Sequence, residues 1–132
     1  MANPSSKAFK PAAYNSVSPY LVVAGAQQLI DFLTAVFGAR VTRRYDNPDG
    51  SIMHAEVMLD DSIIMLGDSS SDYPANSLLI HVYVPDVDEV FRRALAAGGT
   101  EVQAPKHRVG DPDRRGSFKD FAGNTWAIAT QD

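Results

Sequence analysis

The sequence contains no cysteine, which excludes a disulfide scaffold, a thiolate-bound zinc or iron–sulfur site and a thiol nucleophile. No apolar run approaches the roughly 20 residues that a membrane-spanning helix needs. Positive charge is also scarce, because 12 Lys and Arg residues stand against 16 Asp and Glu residues and leave a formal net charge of -4. Neither a nucleic-acid partner nor a membrane partner is therefore expected, and the expected location is the cytoplasm.

The chain is long enough for one domain with its own core, since it has 132 residues of which 45% are hydrophobic. Residues 1–14 are rich in Pro, Ser, Ala and Lys and are predicted to form a flexible N-terminal arm. Residues 15–132 are predicted to form the single folded domain.

The folded part divides into two similar halves, about residues 15–70 and 76–131. When Val23 is placed on Val84, the apolar positions of the two segments that follow coincide. Each half has the pattern of a strand, a helix and three strands. The predicted fold is α+β, with two βαβββ modules forming a curved mixed sheet around a concave groove and the helices outside. Such a groove is a natural site for a small molecule.

Strand alternation predicts which side chains line that groove. In each strand, every second residue is apolar and is predicted to lie in the core, and Trp126 belongs to this set. The opposite parity carries the candidate ligand-binding residues, which are Tyr20, His54, Glu56, Met65, His81 and Tyr83.

Glu56 is the candidate general base, because a carboxylate on a half-buried strand is expected to have a pKa raised by burial. The alternative is a hydrogen-bonded strand residue without a chemical role. Together, His54, Glu56 and His81 would supply an adequate ligand set for zinc or iron if they converged. The alternative for these three is a set of polar groove residues satisfied by water and by one another.

Residues 104–116 are predicted to be a long polar loop, and loops of this length are often lids or binding loops. Arg114 is the cation in this loop that we expect to contact an anionic group of a ligand. The alternative is a solvated loop with no ligand.

Several short motifs resemble the vicinal oxygen chelate superfamily, which includes glyoxalases, bleomycin-resistance proteins and extradiol dioxygenases. Residues 84–88, Val-Pro-Asp-Val-Asp, look like the start of the second-module helix in that family. Residues 120–126, Asp-Phe-Ala-Gly-Asn-Thr-Trp, look like its closing turn, with Phe121 where the family usually has proline. Residues 54–56 and 64–68 resemble a metal-poor, glyoxalase-like branch. The resemblance covers about residues 15–131 and implies a homodimer.

Enzymes of this superfamily usually hold a divalent metal on four strand positions. The resemblance places these positions at Ser18, Met65, Leu79 and Ala127. Leu, Met and Ala supply no ligand for such a metal, and Ser alone is a poor one. The resemblance therefore implies that the family's metal site is missing, so neither a metal nor another cofactor is expected.

Two functions follow from these observations. The first is a metal-independent binding protein that sequesters a partly aromatic compound, as the antibiotic-resistance members of the family do. The second is a lyase or dioxygenase-like metalloenzyme with a displaced metal site at His54, Glu56 and His81. The missing ligands at the family positions favour the binding protein. Whether the protein also has an enzymatic activity is not decided by the sequence.

Overall fold

A computed structural model describes residues 8–132 of the chain. Residues 1–7 of the predicted arm lie outside the described part. The elements in chain order are β1 Tyr20–Val23, α1 Ala26–Phe37, β2 Arg40–Asp46, β3 Ile52–Leu59, β4 Ser62–Asp68, β5 Leu79–Tyr83, α2 Val87–Ala96, β6 Thr100–His107, β7 Asp113–Lys119 and β8 Thr125–Gln131. The first module is β1 to β4 with α1, and the second module is β5 to β8 with α2.

The two modules have the same topology. The strand orders are β1-β4-β3-β2 and β5-β8-β7-β6, and in each sheet the first pair is parallel and the others are antiparallel. The predicted α+β fold of two βαβββ modules is confirmed, and its mixed sheet is present as two four-stranded sheets.

Helix α1 forms where apolar residues recur at helical spacing, and its buried face includes Leu29, Leu33 and Val36. Gly38 ends the helix with a left-handed φ of 69°, a conformation that glycine adopts without steric cost. Helix α2 begins at a side-chain cap, because Asp86 accepts a hydrogen bond from the Glu89 backbone N–H.

One hydrophobic core joins the two modules on their helix-covered sides. Phe32 and Phe37 on α1 reach across to the second sheet, where their ring centroids lie 5.9 and 6.2 Å from that of Phe118. Phe37 also packs on Trp126, with 5.4 Å between centroids. Trp126 is fully buried, as its strand parity predicted. The sheet faces opposite the helices stay outside this shared core, and they carry the residues predicted to line the groove.

The predicted long loop at 104–116 is wrong. β6 extends to His107 and β7 starts at Asp113, so only a short turn separates them. The polar composition misled the prediction, because β6 is an edge strand and its side chains are largely exposed.

The edge strands β2 and β6, called the outer strands below, are irregular; the opposite edge strands are β1 and β5. The pairing of β2 with β3 shifts register twice, and the pairing of β6 with β7 does so as well. Such bulges bend an edge strand and interrupt its row of free backbone groups. No helix within residues 8–132 is both long and apolar enough to cross a membrane.

Candidate functional site

The open face of the first module, defined as the sheet face opposite α1, brings four predicted residues together. The register places Tyr20 beside Met65, and Met65 beside Glu56, in one row across three strands. His54 precedes Glu56 by two residues on β3 and therefore lies on the same face. Its ring lies 5.5 Å from the Tyr20 ring, measured between centroids.

A continuous chain of hydrogen bonds links the polar groups of this face. The Tyr14 hydroxyl donates to Glu56 Oε1. The other carboxylate oxygen, Oε2, lies 2.8 Å from His54 Nε2, and His54 Nδ1 lies 2.8 Å from the Tyr20 hydroxyl. Since a carboxylate only accepts, Nε2 must carry a proton. The chain thus runs from Tyr14 through Glu56 and His54 to Tyr20.

Glu56 is only 4% exposed, yet its pKa is lowered. Burial disfavours the charged form, but the hydrogen bonds from His54 and Tyr14, with the nearby charge of Arg43, outweigh this cost. The prediction of a raised pKa was therefore wrong, because sequence alone did not show these donors. A carboxylate with both oxygens already engaged is held in its ionised form, and its role as a general base stays a prediction.

An apolar cavity of about 510 Å³ adjoins the Tyr20 end of the chain. Its lining residues are Tyr20, Val22, Met53, Gly67, Asp68 and Tyr73. Burial, followed by the negative charge of Glu56, raises the pKa of Tyr20, so its hydroxyl stays protonated at neutral pH. Gly67 leaves this space open, since a Cβ there would lie 2.8 Å from the Met53 carbonyl oxygen and 3.4 Å from the Tyr20 hydroxyl.

The open face of the second module carries His81 and Tyr83 with a second polar cluster. The Tyr83 hydroxyl donates to Asp113 over 2.7 Å, and Arg115 donates to Asp113 over 2.8 Å. Arg115 also pairs with Asp111 and lies 3.1 Å from His81 Nε2. Within residues 8–132, no hydrogen bond or ion pair joins this cluster to the chain on the first module.

The contact between Arg115 and His81 fixes a tautomer. A guanidinium only donates, so His81 Nε2 is the acceptor and the ring proton lies on Nδ1. His81 is thereby engaged away from His54 and Glu56. Among the described residues, no group of three or more His, Asp or Glu side chains is placed to hold a metal ion. The displaced metal site at His54, Glu56 and His81 is not assembled in this chain.

Two of the four positions that the resemblance assigned to a metal, Met65 and Ala127, lie in rows with residues of the neighbouring strands. Tyr20 lies beside Met65, and His81 lies beside Ala127. Leu79 opens β5 and is 74% exposed. Only His81 in these rows is an ordinary ligand for a divalent metal, and one imidazole does not make a site.

Arg114 does not join either open face. It faces α2, where its guanidinium makes two hydrogen bonds to Asp88, of 2.9 and 3.0 Å. Its neighbour Arg115 takes the position on the open face, because successive strand residues point to opposite sides. Arg115 was not expected on this face, because residues 104–116 were predicted to be a loop. Tyr14 was not expected at the site either, because it falls in the predicted N-terminal arm and no local pattern marks it.

Comparisons with known proteins agree with this architecture. Residues 14–128 match the family model of the Glyoxalase/Bleomycin resistance protein/Dioxygenase superfamily. An uncharacterized protein of Mycobacterium tuberculosis (strain ATCC 25618 / H37Rv) is 33% identical over 124 residues, which cover 86% of this chain and 72% of that protein.

Two solved structures are similar in fold. TioX from Micromonospora sp. ML1 has a TM-score of 0.71 and 26% identity, with 89% of this chain and 100% of that chain covered. TnmS3, an antibiotic binding protein from Streptomyces sp. CB03234, has a TM-score of 0.67 and 20% identity, with 90% and 100% covered. The family model spans most of the chain and the paired modules have the matching topology, so the protein belongs to the glyoxalase/bleomycin resistance/dioxygenase superfamily.

Proposed function

We propose that the protein is a metal-independent binding protein that sequesters a partly aromatic small molecule in the cytoplasm. One observation carries the proposal. The polar side chains of the first open face are saturated by one another, and an apolar cavity lined by two tyrosines lies at the end of their chain. Such a combination suits holding a ligand, because apolar walls supply affinity and a few fixed polar groups supply orientation.

Aromatic lining sets the expected ligand class. Tyr20 and Tyr73 flank the cavity, and Met53 supplies a polarizable side chain beside them. Such side chains bind planar rings by stacking and by edge contacts. TnmS3, which shares the fold, is an antibiotic binding protein, and an antibiotic with an aromatic ring system is a reasonable first ligand to test.

We also propose that two copies of the chain pair to complete the groove. The modules meet on their helix-covered sides, so within one chain the two open faces are separate surfaces. Leu79 and Tyr83 on the second face are 74% and 60% exposed. A second copy would place such a face against the first module's cavity. Sedimentation velocity tests this proposal, and a monomer at micromolar concentration would refute it.

The binding proposal is tested by a thermal-shift screen of aromatic antibiotics, because a ligand that binds the folded state raises the apparent stability. For any hit, Tyr73→Ala should weaken binding at least tenfold, since it removes one wall of the cavity. Phe9→Ala is the matched control, because Phe9 is an exposed aromatic residue that does not line the cavity. Equal affinity in both variants would place the ligand elsewhere.

Metal independence has its own test. The protein is purified without chelator and its metal content is measured. Stoichiometric zinc, iron, manganese or nickel would refute this part of the proposal and would favour the metalloenzyme alternative. Ligand affinity that is unchanged after dialysis against a chelator supports it.

A further inference from the structure

Tyr14 lies outside both modules, yet its side chain is held on the first open face by three groups. Its hydroxyl donates to Glu56 Oε1 and lies 3.3 Å from Thr42 Oγ1. The Arg43 guanidinium lies over its ring, 5.4 Å from the centroid. A carboxylate acceptor, a second hydroxyl and a cation on the ring face together recognise one chemical group, which is a phenol.

The Glu56 carboxylate is also held by groups other than Tyr14. It is 4% exposed, its second oxygen is fixed by His54, and Arg43 Nε lies 3.7 Å from Oε1. If Tyr14 leaves, Oε1 loses its hydroxyl donor and keeps only the more distant Arg43 Nε, so it favours a ligand that restores the hydrogen bond.

The segment that carries Tyr14 is weakly attached. Ala13, the residue before it, has a φ of 68°, a left-handed conformation that is unfavourable for a residue with a Cβ. Phe9 is 87% exposed and Val17 is 84% exposed, so neither anchors the segment in the core. The turn at Tyr14 is closed by one backbone hydrogen bond, from its N–H to the Pro11 carbonyl. A competing ring therefore has little structure to displace.

We propose that Tyr14 occupies a phenol subsite and that a ligand with an aromatic hydroxyl competes with it for Glu56, Thr42 and Arg43. This inference rests on the proposed binding function and names the group that the ligand carries. Tyr14 then acts as an internal competitor. It keeps the carboxylate satisfied in the free protein and lowers the affinity for rings that lack a hydroxyl.

The probe is p-cresol, because it is the side chain of tyrosine as a free molecule, and toluene is its match without the hydroxyl. Binding of both is measured by isothermal titration to the wild type and to Tyr14→Ala. We expect Tyr14→Ala to bind p-cresol at least tenfold more tightly than the wild type does. We also expect Tyr14→Ala to prefer p-cresol over toluene at least tenfold, because a hydrogen bond to an ionised carboxylate is worth about that factor or more.

A preference below tenfold in either comparison overturns the inference, and so does failure of p-cresol to bind Tyr14→Ala. A hole left by any deleted ring would take toluene equally well, so the second comparison separates a phenol subsite from a mere cavity. Tyr14→Phe should fall between the wild type and Tyr14→Ala, since it keeps the ring and loses the hydroxyl. Phe9→Ala is the control on the same segment and should bind p-cresol as the wild type does.

The outcome is distinguishable from failure of the proposed function. Tyr73→Ala alters the apolar cavity and leaves Glu56, Thr42 and Arg43 untouched, so it should not change p-cresol affinity. If a screening hit depends on Tyr73 and p-cresol does not bind Tyr14→Ala, only the phenol subsite is refuted. p-Cresol binding to Tyr14→Ala without any screening hit would leave the subsite intact and count against the aromatic cavity.

Discussion

Asp120 organises the closing turn of the second module, and its removal should strongly destabilise the protein. The residue is 5% exposed, and its carboxylate accepts hydrogen bonds from four donor groups. Two donors are the backbone N–H groups of Ala122 and Asn124, at 2.9 and 3.0 Å. The other two are Asn124 Nδ2 at 3.1 Å and Trp126 Nε1 at 2.9 Å, and both of these residues are fully buried.

Asp120→Ala leaves all four donors without this acceptor. At about 1 kcal/mol for each lost hydrogen bond, the free energy of unfolding should fall by about 4 kcal/mol. That loss is a large part of the 5–15 kcal/mol typical of a domain. With a urea dependence of about 2 kcal/mol per molar, the unfolding midpoint should fall by about 2 M.

Urea unfolding followed by circular dichroism measures this change, and the fluorescence of Trp126, the single tryptophan, gives a second probe. Asp61→Ala, at an exposed turn, is the matched control and should change stability by less than about 0.5 kcal/mol. A cycle with Trp126→Phe should give a coupling of about 1 kcal/mol with Asp120. A loss below about 1 kcal/mol for Asp120→Ala would refute the reasoning.

Three further predictions follow. Asp68→Ala should cost about 2 kcal/mol in urea unfolding and speed amide exchange at the start of α1, because Asp68 accepts hydrogen bonds from the Gly25, Ala26 and Ile52 backbones. Phe118→Ala should cost about 3–5 kcal/mol by the same measurement, because its ring joins the helix of one module to the sheet of the other. Glu56 has a pKa below its ordinary 4.5, so its stabilising contribution is present above that pH and disappears as the pH falls through the lowered value. The difference in urea midpoint between wild type and Glu56→Gln should therefore be constant near pH 7 and shrink as the pH falls below 4.5, and a difference independent of pH would contradict this.

Periodicity was sufficient to predict the modular fold. Apolar residues at helical spacing indicate α1, and Asp86 followed by Glu89 three residues later indicates the start of α2. The strand parities also held, because a two-residue period leaves only two choices and the apolar residues select one of them. Trp126 in the core and Tyr20, His54 and Glu56 on one face all follow from this rule.

The chemistry of the candidate site was harder to predict from the sequence. The pKa of Glu56 depends on Tyr14, which is 42 residues away in the sequence and belongs to no periodic element. The pairing of Arg115 with His81 depends on a strand that its polar composition concealed. Both are long-range side-chain contacts, and local pattern carries no information about which distant residues meet.

The bulges on the outer strands bear on how copies of this chain meet. A regular, uncharged edge invites another chain to add a strand, and both outer edges lack these properties. β2 shifts register twice and carries Arg40, Arg43 and Arg44, while β6 shifts register twice and contains Pro105, which has no N–H to donate. Strand addition at β2 and at β6 is therefore disfavoured. The pairing of two copies proposed above therefore uses the open faces and not strand addition at β2 or β6.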